Sequence, residues 1–90
     1  MIVDLDKIAD NCHCKAVKHN WIGDPAWSHR GCYLHLEVSE FIESLRGKGL
    51  STPDKEAADV LFVLLSLVRS YNIPITDVIS QLEEMTNGYS

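Results

Sequence analysis

The chain has little that binds a polyanion. Eight Lys and Arg stand against thirteen Asp and Glu, for a net charge of −5. Neutralising a run of phosphates needs the opposite balance, which argues against duplex nucleic acid as a partner. It also lacks an apolar run long enough for a bilayer. The longest, Val60 to Val68 with Ser66 interrupting it, falls far short of the roughly 20 residues of a membrane helix. The N-terminal residues carry Asp4 where a secretory signal needs basic residues, and no apolar segment follows. Cysteine is scarce too. Three thiols cannot pair completely, which fits a reducing compartment. The expected location is cytoplasmic, with no membrane partner.

What is present reads as one domain spanning residues 1–90, without repeats or low-complexity tracts. A chain of this length buries only roughly 60–65% of its unfolded surface, so a partner copy would help its core. Apolar residues at three- and four-residue steps (Leu5, Ile8, Cys12, Ala16) predict a helix over Leu5 to Lys18. His19 to Ser28 then reads as a connection, because Gly23-Asp24-Pro25 cannot continue a helix. A second helix is expected from about His29 to Arg46, with Leu34, Val38, Phe41 and Leu45 as its apolar stripe and Gly47-Lys48-Gly49 as its stop.

The third helix has a clear beginning. Thr52 suits the N-cap, Pro53 the first helical position, and Asp54 and Glu56 the positive end of the helix dipole. It should run to about Tyr71. A last helix opens at Thr76 or Asp77 and reaches Asn87-Gly88, a plausible C-cap pair. No stretch alternates with the period of a strand, so the expected fold is all-α with four helices. Val60 to Val68 is apolar nearly all round. A helix of that kind is buried all round, and a second copy of the chain is the simplest cover.

Two acidic pairs carry the chemistry. Glu37 and Glu40 lie three apart on the second helix, and Glu56 and Asp59 three apart at the start of the third. Residues at that spacing share a helix face, so each pair presents two carboxylates in one direction. Asp59 directly precedes the apolar run, where an unpaired carboxylate costs several kcal/mol. Four carboxylates converging between two helices repel unless a cation neutralises them. Mg²⁺ or Mn²⁺ suits such an oxygen-only set, with water and substrate phosphates completing its shell.

The phrases Leu36-Glu37-Val38-Ser39-Glu40-Phe41-Ile42-Glu43 and Glu56-Ala57-Ala58-Asp59-Val60-Leu61-Phe62-Val63-Leu64 resemble the two motif helices of the MazG-like all-α nucleoside triphosphate pyrophosphohydrolases. The aromatic stretch Trp21 to Trp27 and the segment Ile73 to Val78 are also similar, so the resemblance covers about residues 20 to 85. It implies a MazG-type four-helix bundle, completed as a homodimer or homotetramer. It implies Mg²⁺-dependent hydrolysis of a (d)NTP to (d)NMP and pyrophosphate, in nucleotide-pool house-cleaning, with Mn²⁺ able to substitute. Glu37, Glu40, Glu56 and Asp59 match the metal-ligand positions and would be the catalytic set. Many members carry a further acid before each motif, where this chain has Leu36 and Lys55. Members often place Lys or Arg with Asn on the last helix to grip phosphates, and only Asn87 corresponds here.

Trp21 and Trp27 are candidates for stacking on a base, and Lys48 and Lys55 for meeting phosphates. Loop packing and solvated lysines are the plainer roles. Glu43, three residues beyond Glu40, rotates away from the core. Cys12, Cys14, Cys32 and His35 offer ligand types for Zn²⁺, but Cys12 and Cys14 point about 200° apart on a helix, so unpaired thiols are expected. The rival class is a non-catalytic helical dimerisation or binding module whose acidic motifs hold a structural metal.

Overall fold

The computed structural model describes residues 2–19 and 26–88, and for residues 26–32 the backbone only. Four helices run in chain order: α1 (Leu5–Lys18), α2 (Ala26–Leu45), α3 (Pro53–Ser70) and α4 (Ile75–Gly88). No strand occurs among the described residues. The all-α expectation holds.

The helix ends follow local chemistry. The Asp4 carboxylate accepts from Lys7 N at 3.1 Å and caps α1. Helix α2 begins at Ala26, earlier than His29, so Trp27 and Ser28 are helical rather than part of a connection. Residues 20–25, the rest of that connection, lie outside the described residues. At the end of α2, Gly47 takes φ 73°, Lys48 N donates to Glu43 O at 3.0 Å and Gly47 N donates to Ser44 O at 3.1 Å. That is a Schellman cap. Helix α3 ends the same way on Asn72 at φ 55°, with Ile73 N donating to Val68 O. Thr52 is the N-cap of α3, but its hydroxyl makes no capping bond; the backbone bond from Glu56 N to Thr52 O closes the first turn. Helix α4 opens at Ile75, directly after Pro74, whose carbonyl accepts from Asp77 N and Val78 N. Gly88 falls inside it rather than capping it.

Helix α3 is the hub, packing on α2 along one side and on α1 along another, whereas α4 packs on the others only marginally. The α1 face turned inward is Ala9, Cys12 and Ala16, not the one led by Leu5 and Ile8, which are exposed. Small residues there let the two backbones approach. Arg69 near the end of α3 fastens the contact. Its Nη2 lies 3.0 Å from Asp6 Oδ1, and its Nε lies 2.6 Å from Asp10 Oδ1, off the N–H axis, as a charge contact.

The face of α2 is also rotated from its expected setting. Leu34, Glu37, Phe41 and Ser44 turn inward, whereas Val38 and Leu45 are exposed. Glu37 therefore sits within the packed face. Ser44 is buried beneath the α2–α3 turn, where Gly49 passes so close that a Cβ would stand 3.1 Å from Ser44 Cα.

One copy of this chain encloses little. Its buried apolar residues are Ala9, Ala16 and Ile75, and no large side chain is fully buried among the described residues. Its radius of gyration is 14.4 Å, against about 12 Å for a compact chain of this length. Leu61 and Leu64 of α3 and Leu82 and Met85 of α4 are exposed. Within one copy Val60 to Val68 is not buried all round, with Leu61 and Leu64 exposed. Among the described residues, no helix is long and apolar enough to cross a membrane.

Candidate metal centre

Helix α2 brings Glu37 to the seam with α3, and the first two turns of α3 bring Glu56 and Asp59 to the same place. One carboxylate oxygen from each of these three residues lies within 4.8 Å of the others. Glu56 is buried at 7% exposure, and its Oε2 has no hydrogen-bond partner. Oε2 of Glu37 is likewise buried and unpartnered. Buried, unpartnered carboxylate oxygens in one cluster are costly unless something neutralises them, because desolvation and repulsion add. A hard divalent cation is the filler that oxygen-only donors select. The three residues fit one.

Glu40 is exposed and lies outside that tight group, though it is near enough to raise the Glu37 pKa. Glu37 is pushed above the ordinary carboxylate range, first by burial, then by the charges of Glu40 and Asp59, with the Glu40 hydrogen bond and Glu56 adding to it. Of the four expected carboxylates, the fold thus gathers three and sets the fourth against one of them.

Lys55 stands elsewhere than expected. Its Nζ lies 2.8 Å from both carboxylate oxygens of Asp59, one turn on along α3. That hydrogen bond, more than any other influence, holds the lysine above its ordinary pKa. The i,i+4 spacing was the available signal, and it pointed to a pair on the helix rather than to a free phosphate ligand.

A cavity of about 410 Å³ adjoins the cluster beneath the α2–α3 turn. Glu40, Glu43, Lys48, Ser51 and Glu56 line it, so Lys48 does stand beside the carboxylates. Glu43, expected to face away, borders this cavity and pairs with Arg46 at 3.4 Å. Trp21 lies outside the described residues, and of Trp27 only its place in the first turn of α2 is described. Asn87 is on α4, whose packing on α2 and α3 is marginal at most. Cys14 is exposed and Cys12 half-buried, with burial raising the Cys12 thiol pKa, which disfavours the thiolate a zinc site needs. Cys32 is on α2, and its side chain lies outside the description.

No family model, curated protein or solved structure matches the chain.

Proposed function

We propose that this chain is a Mg²⁺-dependent nucleoside triphosphate pyrophosphohydrolase of the MazG-like kind, releasing nucleoside monophosphate and pyrophosphate. The observation that carries the proposal is the approach of Glu37, Glu56 and Asp59 within 4.8 Å, with buried oxygens left unpartnered. These residues come from the two phrases that resemble the family. Glu37, Glu56 and Asp59 would hold the ion, with Glu40 joining from the exposed side. A bound Mg²⁺ supplies charge neutralisation at the phosphates and a lowered pKa for coordinated water.

The chain's own groups set the rest. Glu40 would be the water-orienting base, since Leu36 stands where many family members have an acid. Lys48 borders the cavity that Glu40, Glu43 and Glu56 also line, and would meet a phosphate oxygen there. Trp21, Trp27 and Asn87 remain proposed substrate contacts. The assembly would be a homodimer or homotetramer, because Leu61, Leu64, Leu82 and Met85 are exposed in one copy. A cytoplasmic place and a role in clearing unwanted nucleotides complete the reading.

The test is a product assay on a nucleotide panel with Mg²⁺. Monophosphate plus pyrophosphate supports the proposal. Diphosphate plus orthophosphate places cleavage at the wrong bond. No turnover with any triphosphate and either metal returns the chain to the class of non-catalytic helical modules.

A further inference from the structure

Lys55 gives Asp59 the contact a cation gives. Both carboxylate oxygens lie 2.8 Å from one ammonium, whereas Oε2 of Glu37 and Oε2 of Glu56 beside it have no partner. The ammonium is a single charge on a flexible stem, and it satisfies one carboxylate of the three. It is also free to leave. The Lys55 side chain is 60% exposed and that of Asp59 34% exposed, so exchange into solvent disturbs no packing. A divalent ion seated among the three oxygens needs the Asp59 carboxylate that the lysine occupies, and it repels the ammonium as it arrives.

We propose that Lys55 is a built-in counter-ion of Asp59, which a divalent cation must displace to complete the centre. This rests on the reading of Glu37, Glu56 and Asp59 as a metal site. The site gives up part of its intrinsic metal affinity and keeps the apo cluster from standing fully unneutralised. Once displaced, the ammonium stays tethered one helical turn from the Asp59 carboxylate, free to enter solvent.

The experiment titrates Mn²⁺ alone into the full chain at low ionic strength and counts free ion by electron paramagnetic resonance. Wild type is compared with Lys55→Met, Lys55→Gln and, as a charge control, Lys7→Met. Lys7 lies beside the Arg69 end of α3, which is 14 residues and about 21 Å from Lys55 along the helix. Both Lys55 variants should bind Mn²⁺ about three- to tenfold tighter, with Lys7→Met unchanged. Two variants at an exposed position, each checked for wild-type helicity by circular dichroism, separate the effect from misfolding. Equal affinity of wild type and both Lys55 variants overturns the counter-ion role and leaves the metal centre standing. Equal tightening by Lys7→Met reduces it to net charge and overturns it as well. Absence of Mn²⁺ binding in every protein removes the metal centre and the inference together.

Discussion

Glu37 carries the strain of the cluster most plainly. Burial and the neighbouring carboxylates raise its pKa, so the folded chain holds that proton more tightly than the unfolded chain does. Stability then falls as pH rises through the ordinary Glu value and on through the raised one, and the full cost is present above both. Without metal, Glu37→Gln should therefore melt above wild type at neutral pH, and the difference should shrink as pH falls through the raised value and vanish below the ordinary Glu value. Saturating Mg²⁺ should reverse the order, because it stabilises only the wild-type site. A difference in melting temperature that is flat with pH would mean that Glu37 is not repelled. At Glu56 the argument is one of burial. Glu56→Gln removes a buried, unpartnered carboxylate oxygen and should raise apo stability by about 1 kcal/mol, or about 4–8 °C in a domain of this size. Asp59→Asn and Glu56→Gln should each abolish the Mg²⁺ response and lower turnover by orders of magnitude, as ligand losses do.

Between elements, the α2–α3 turn is what fixes the cluster. Gly47 ends α2 in the left-handed region and Gly49 lies directly on Ser44. Gly49→Ala would press a methyl group to 3.1 Å from Ser44 Cα in the last turn of α2, which must shift to accept it, at about 1–3 kcal/mol. Gly47→Ala meets no neighbour, and its cost of about 1 kcal/mol would be conformational alone. Thermal melts of the two variants should rank them in that order. Because the turn sets where Glu56 stands relative to Glu37, Gly49→Ala should also weaken Mn²⁺ binding, whereas Gly47→Ala should weaken it less. At the opposite end of α3, Arg69→Met removes the ties to Asp6 and Asp10 that hold α1. A loss of about 1 kcal/mol is expected, smaller at high salt, with Mn²⁺ affinity unchanged.

At the scale of the whole molecule, the contrast is between a formed site and a thin core. Two helices, α1 and α2, pack on α3, yet among the described residues only Ala9, Ala16 and Ile75 are buried apolar residues. The described residues alone form a thin core for a domain this size. Pairing the exposed Leu61 and Leu64 edge of α3 with a second copy would supply the missing burial. Sedimentation should accordingly give a dimer or tetramer, and Leu64→Glu should dissociate it and unfold the chain together. A folded monomer near 10.1 kDa at micromolar concentration would remove this proposal.

Helix number, type and most boundaries were legible in the sequence because each rests on local chemistry: Thr52 and Pro53 at a start, Gly47 at a stop. The sharing of a face by Glu56 and Asp59 was equally local, since i,i+3 spacing fixes it. What sequence periodicity mis-set was rotation. The stripe Leu34, Val38, Phe41 and Leu45 follows apolar character, but the face that packs is Leu34, Glu37, Phe41 and Ser44. The same happened on α1, where Ala9 replaces Ile8 on the inward side. Helix phase depends on which neighbour lies against it and how closely, and small or polar residues permit the closest approach. The early start of α2 was hidden by Pro25, which breaks a preceding helix but also begins one well. Only tertiary structure could decide that Glu37 meets Glu56 and Asp59 across two helices, that α4 packs marginally, and that Arg69 reaches α1 across 63 residues. These are distances between elements, and sequence spacing carries distance only within one.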